Sequence, residues 1–301
     1  MHWLVEPGLW ANDSVRIALM VGTMVALVSA IVGVFTVIRG QSFAGHALTD
    51  VATAGGAGAF FAGVSPLVGF VVGPVLGAGA MEAIGVQRVR GRDIATGVVL
   101  GAATGLAALF LYLSATTSTA SGTTQLILFG SIFTVQPSTT VGVAVLSAVV
   151  LIVVALVARP LLLSSISVEL ASARGIRLRV VGLVFMVVLA VAVGLSAIVI
   201  GSILSTALLI GPPASALKLV RRLSAGMALA VLLGLLATWI GIVIAYDSYY
   251  WFPSHRGLPV SFSVVATVVL EFVIASLARR WRRARVAPVA LIAAAEPAGW
   301  S

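Results

Sequence analysis

Apolar residues in this chain run in blocks of about twenty, and the polar positions between the blocks are few and mostly basic. The blocks occupy residues 15–38, 43–61, 64–83, 94–113, 139–158, 180–199, 201–217, 225–246 and 260–278. A helix crossing about 30 Å of hydrocarbon needs about twenty residues. The pattern therefore predicts an all-α fold, a polytopic transmembrane helical bundle of about nine spans. Eight is the alternative, because 180–199 and 201–217 are separated only by the turn Ile200-Gly201-Ser202. Residues 1–278 are expected to form the membrane domain, and 279–301 a basic and then flexible cytoplasmic tail.

One block ends in Gly211-Pro212-Pro213. Proline removes an amide donor and clashes with the preceding turn, so a broken helix is expected near Gly211–Pro213. At membrane depth such a break is tolerated only inside the protein or beside a cavity. These three residues thus mark a candidate translocation path, the alternative being a loop at the membrane edge. Glycines crowd the second and third spans: Gly55, Gly56, Gly58, Gly63, Gly69, Gly73, Gly77 and Gly79. Small residues let helices approach closely where lipid gives no hydrophobic drive to associate, which predicts that these two helices pack in the core.

Charge then orients the bundle. Sixteen of the eighteen basic residues fall in five clusters: Arg39; Arg88, Arg90 and Arg92; Arg159, Arg174, Arg177 and Arg179; Lys218, Arg221 and Arg222; and Arg279, Arg280, Arg282, Arg283 and Arg285. With nine alternating spans all five lie on one side, and only Arg16 and Arg256 on the other. By the positive-inside rule the crowded side is cytoplasmic, with the N-terminus outside and the C-terminus inside. The first thirteen residues carry Glu6 and Asp13 but no Lys or Arg, so they do not read as a signal peptide and the first span is expected to be retained.

Composition agrees. Hydrophobic residues make up 60% of the chain and charged residues 9%, with a mean hydropathy of +1.18, whereas soluble domains carry about 25% charged residues. The net charge of +9 is set at the ends of apolar blocks rather than on a folded surface, which argues against nucleic acid as a partner and for the lipid bilayer. There is no cysteine, hence neither a disulfide framework nor a thiolate metal site.

Two polar stretches do more than connect. Residues 115–138 lie on the outer side and include an apolar portion, Gln125 to Gly130, that is too short to cross and reads as a short span-like or re-entrant element. Residues 159–179 lie inside and contain Glu169-Leu170-Ala171-Ser172-Ala173-Arg174-Gly175, a short helix that Gly175 terminates. Such a helix suits either docking of a motor subunit or contact with anionic lipid.

Ionisable residues inside spans are costly and face a cavity or one another. His46 and Asp50, four apart, share one face at the start of the second span. Imidazole and carboxylate are both ligands for borderline divalent metals. The alternative is local capping by His46 and anchoring of a neighbouring helix by Asp50. Glu82, near Arg88, and Asp93, beside Arg92, read as interfacial pairs or loop-orienting groups, whereas Glu271, in the middle of the last span, serves either a structural bond or the path. Asp247, Tyr249, Tyr250, Trp251 and His255 are placed in an outer loop, the aromatics as an interfacial belt and the ionisable pair as weak candidates for receiving a cation.

No Gly-x-x-x-x-Gly-Lys-Ser/Thr phosphate loop is present, and Lys218 is the only lysine. Nor is there a His-Glu-x-x-His motif or a convincing acid–base constellation. Transport is therefore the stronger class, and the chain is not read as an enzyme.

Three stretches, in order and separation, resemble the permease subunits of bacterial metal-uptake ABC transporters for zinc, manganese or iron, the ABC-3 family: Val37-Ile38-Arg39-Gly40-Gln41-Ser42-Phe43-Ala44-Gly45-His46-Ala47-Leu48, Glu169 to Ile176, and Thr206-Ala207-Leu208-Leu209-Ile210-Gly211-Pro212-Pro213-Ala214-Ser215-Ala216. The resemblance spans roughly residues 15–278. It implies a permease homodimer or paired homologous permeases in the bacterial cytoplasmic membrane, cytoplasmic ATPase subunits that bind ATP, and an extracytoplasmic metal-binding protein. No intrinsic cofactor is implied; the divalent metal ion is cargo. By the same likeness Glu169, Leu170, Ala171, Arg174 and Gly175 belong to the segment coupling to the ATPase, and His46 is the family histidine after the first cytoplasmic turn. Many members place an Asp four residues before that histidine; here Ser42 stands there, and Asp50 follows four residues after it. The proline and glycine that follow the family histidine are also missing. The alternatives are an ion-gradient-driven secondary transporter and a non-transporting membrane scaffold.

Overall fold

The computed structural model describes residues 9–84, 92–117, 127–130, 132–134, 137–251 and 257–294. Nine long helices account for most of these described residues: α1 (Asp13–Ile38), α2 (Ser42–Phe61), α3 (Pro66–Ile84), α4 (Arg92–Thr117), α5 (Pro137–Ile166), α7 (Leu178–Ile200), α8 (Ser202–Leu219), α9 (Leu223–Trp251) and α10 (Val260–Ala294). The short α6 (Val168–Ala173) joins α5 to α7, and a 3-10 turn lies at Ile132–Thr134. The polytopic helical bundle expected from the hydropathy pattern is what the chain forms, and each of the nine apolar blocks corresponds to one long helix.

Among the described residues, seven of the nine have a stretch long and apolar enough to cross a membrane by length and composition. α2 and α8, at 20 and 18 residues, are among the shorter helices and carry hydroxyl side chains. The helices also differ in depth within the bundle. The most apolar stretches of α1 and α7 are 67% and 72% buried, against 22–33% for the other five. A core of Phe35, Leu48, Phe185, Leu189 and Leu209 ties α1, α2, α7 and α8 together.

Glycine sets the closest approaches. Val51 meets Gly77, Gly55 meets Gly73 and Ala59 meets Gly69, so α2 and α3 run antiparallel. A Cβ on Gly55 would overlap the Gly69 carbonyl oxygen, and one on Gly69 the Gly55 carbonyl oxygen. Backbone contact of this kind is how membrane helices gain dispersion energy without a hydrophobic drive.

Pro212 and Pro213 do not break their helix, contrary to the expectation drawn from Gly211–Pro213. α8 continues from Ser202 to Leu219, and the discontinuity lies at Gly201, with φ 93°. The two prolines remove the amide donors for the carbonyls of Leu208 and Leu209. Both rings are buried in the bundle, and the Leu209 carbonyl faces the Cα of Gly33, so α1 supports the helix where its own ladder is interrupted.

At the cytoplasmic end expected from charge, Ser167 caps α6 by accepting from the Leu170 amide at 3.1 Å. Gly175, with φ 75°, ends the segment while the Ile176 amide returns to the Ala171 carbonyl at 3.1 Å. This is the helix and the glycine stop expected from 168–176.

Candidate translocation site

α2 and α8 meet along a ladder of hydroxyl groups that ends at His46. The His46 Nδ1 lies 3.3 Å from Thr206 Oγ1, which lies 3.1 Å from Thr49 Oγ1. Thr49 Oγ1 donates to the Gly45 carbonyl at 3.1 Å. One arrangement uses every proton once: Nδ1–H donates to Thr206, Thr206 to Thr49 and Thr49 to Gly45. It leaves the Nε2 lone pair of an exposed imidazole unengaged by any described residue, the form in which histidine ligates a metal.

Beyond Thr206 the ladder continues toward the helix break. Ser205 Oγ lies 3.5 Å from Thr49 Oγ1 and donates to the Ser202 carbonyl at 3.1 Å. Ser202 Oγ donates to the Ile127 carbonyl at 3.3 Å. Ser202, Ser205 and Thr49 are each 1% exposed; polar groups at such depth in an apolar bundle bond to one another because no water replaces them.

The break itself is sealed by backbone. Gly130 and Gly201 both have positive φ, 75° and 93°, and a Cβ on Gly201 would lie 2.5 Å from the Leu128 carbonyl oxygen and from the Gly130 amide. The apolar turn at 127–129, expected as a short span-like or re-entrant element, is thereby held against the start of α8. Next to it a cavity of about 580 Å³ is lined by Phe129, Phe133, Tyr246, Tyr249, Tyr250 and neighbours.

Asp50 stands one turn beyond His46 on α2 but is held by another neighbour: its Oδ2 accepts from Thr104 Oγ1 of α4 at 2.6 Å. The two expected metal residues thus lie between α8 and α4. Among the described residues no three His, Cys, Asp or Glu side chains gather into a metal-holding group. His46 and Asp50 thus offer at most two strong ligands from the described part of this chain.

Gly211, Pro212 and Pro213 lie further along α8, between α1, α9 and α10: Gly211 packs against Val268, Pro212 approaches Gly234, and Pro213 approaches Gly33. In α6 and the turn that ends it, Ala171 is fully buried while Glu169, Leu170, Arg174 and Gly175 are exposed. The buried alanine seats α6 on α5 and α7, and the rest face outward. Ile166, Val168 and Leu170 remain 79%, 58% and 46% exposed, an apolar edge beside arginines.

One placement differs from that read in the sequence. Asp247 is not in a loop; it lies within α9 and is 1% exposed, because the run Tyr249-Tyr250-Trp251 continues the helix instead of ending it. His255 lies outside the described residues, as do Arg88, Arg90 and Gln125. The participants missed are Thr49, Thr104, Ser202, Ser205 and Thr206. Their only signal is spacing: Ser202, Ser205 and Thr206 share a helix face, as do Thr49 and Thr53.

A membrane bundle of long helices with a polar seam between α2 and α8 is the architecture of a membrane transport protein. A profile of the ABC 3 transport family matches residues 11–279, and the chain belongs to that family. It is 31% identical over 245 residues to the manganese import system permease protein ScaB of Streptococcus parasanguinis, covering 80% of this chain and 84% of the relative. It is 25% identical over 233 residues to the high-affinity zinc uptake system membrane protein ZnuB of Haemophilus influenzae, covering 77% and 88%. Its fold matches a chain of PsaBC from Streptococcus pneumoniae in complex with Fab, with a TM-score of 0.76 and 26% identity over 89% and 92% of the two chains.

Proposed function

We propose that this chain is the membrane-spanning permease of an ATP-driven importer for a divalent transition-metal ion, zinc, manganese or iron. In this reading it sits in the bacterial cytoplasmic membrane with its N-terminus outside and its C-terminus inside. An extracytoplasmic protein delivers the ion, separate cytoplasmic ATPase subunits supply the energy, and two permease chains pair to form the conduit. The observation that carries the reading is the seam between α2 and α8, where a buried hydroxyl ladder leads to an exposed imidazole. It is supported by membership of an ABC transport family and by relatives named for manganese and zinc uptake.

The metal is cargo, so it must be held weakly. A closed set of four ligands would trap it, and conduction requires binding favourable enough to load and weak enough to release. His46 and Asp50 supply one imidazole nitrogen and one carboxylate, with water or hydroxyls completing the shell. Thr206 fixes the imidazole tautomer, as outer-shell partners of metal-ligating histidines do, and Thr104 orients the carboxylate. Gly211–Pro213, where α8 lacks two of its own hydrogen bonds, is the stretch able to flex as the path opens. Glu169, Leu170, Arg174 and Gly175 of the α6 segment face the ATPase, with Ala171 as its anchor, and ATP binding there shifts α5 and α7.

Purification of the membrane complex and its reconstitution into proteoliposomes test the class of transporter. Retention of an ATPase through residues 159–179, with metal uptake that requires ATP, is the expected result. Autonomous flux driven by an ion gradient would replace the reading with a secondary transporter, and neither activity would leave a scaffold.

A further inference from the structure

The Arg39 side chain links the turn before α2 to the elbow that carries α6. Arg39 closes α1, and its guanidinium Nη1 donates to Ser164 Oγ at 3.0 Å and to Ser165 Oγ at 3.3 Å, both in the last turn of α5. The same guanidinium lies 5.4 Å from the ring centroid of Phe185 in α7. α5 and α7 are the two helices on which α6 packs. Three residues beyond Arg39, α2 begins, and His46 lies in its second turn.

The two serine oxygens are set to accept. Ser164 and Ser165 each donate to the Leu161 carbonyl, at 2.9 and 2.6 Å, so their oxygens are left to accept from the guanidinium. Phe185 is fully buried and offers the face of a fixed ring. One guanidinium nitrogen bonds both hydroxyls while the planar group lies beside the ring, an arrangement that a lysine ammonium on a flexible stem holds less rigidly.

We infer that Arg39 is a positioning residue for transport, a strut that transmits displacement of α6 to the helix bearing His46. The directional bonds of Arg39 tie the α1–α2 turn to the α5–α7 corner, so that the turn follows the corner. The inference rests on the reading of α6 as the ATPase-docking helix.

The test measures metal ions moved per ATP hydrolysed in the reconstituted complex, for Arg39→Lys and for the double substitution Ser164→Ala with Ser165→Ala. Alanine suits a helix, so the serine pair remains informative should Arg39→Lys assemble poorly. The expected result is a fall of about tenfold in ions per ATP, within the usual span of coupling between distinct sites, with hydrolysis and ATPase retention close to wild type. An unchanged ratio, or uptake and hydrolysis falling in proportion, overturns the strut. A wild-type complex without ATP-driven uptake overturns the functional reading itself, and the strut with it.

Discussion

His46 and Thr206 stand 3.3 Å apart across the interface of α2 and α8, and Thr206 is itself bonded to Thr49 one turn along α2. The imidazole is therefore oriented by the opposite helix rather than by its own. That relationship makes Thr206→Val the sharpest probe of orientation, since it keeps the shape and removes the oxygen. Loss of such an outer-shell partner costs about 10–100-fold in metal affinity, so the metal concentration giving half-maximal uptake should rise by at least about tenfold. Uptake kinetics over a range of metal concentrations check it; an unchanged half-saturation point would remove Thr206 from the site.

Gly33 faces the carbonyl of Leu209 and the ring of Pro213, and a Cβ there would overlap backbone that cannot rotate away. Gly33→Ala should destabilise the protein by about 1–3 kcal/mol, the usual cost of overpacking. A methyl group on Gly79 would meet no atom of a neighbouring element within 4 Å, and Gly79→Ala should leave stability within about 0.5 kcal/mol of wild type. Thermal unfolding in detergent distinguishes the two.

Gly201 carries both a positive φ and a close approach to Leu128 and Gly130. Any side chain there adds backbone strain of about 1–3 kcal/mol, and also forces the turn at 127–129 away. Gly201→Ala should lower the unfolding temperature and raise the solvent exposure of Phe129, read by labelling of a cysteine placed at that position. Ser202→Ala removes only one interhelical bond and should cost about 0.6 kcal/mol.

Leu170 is the exposed apolar residue at the centre of α6, one position before the buried Ala171. A charge at the centre of a docking surface is costly, and truncations at such centres cost about 2 kcal/mol or more. Leu170→Asp should reduce co-purification of the ATPase while leaving the permease folded. Full retention of the ATPase would place its docking surface elsewhere.

Much of the architecture was legible because lipid imposes a simple rule: blocks of about twenty apolar residues must become helices. The short helix ending at Gly175 was legible for a local reason, a glycine stop after strong helix formers. Pro212-Pro213 misled because proline's effect was judged within its own helix, whereas Gly33 of α1 supports the interrupted stretch from outside. Asp247 misled because tyrosines and tryptophan at a membrane edge read as a loop, although here they extend α9. The hydroxyl ladder escaped notice because serine and threonine are common in membrane helices, and only the pairing of α2 with α8 turns Thr49, Ser205 and Thr206 into neighbours. His46 and Asp50 stood out by being ionisable; that they answer to different helices, α8 and α4, required the fold.

The most direct measurement of the central claim is ATP-dependent metal uptake by proteoliposomes holding the complete complex, wild type against the double substitution His46→Ala with Asp50→Ala. Both side chains are at least partly exposed and hold few partners, so assembly should survive. The account predicts that uptake is lost while the ATPase remains bound; uptake at the wild-type rate would contradict a metal path between α2, α4 and α8.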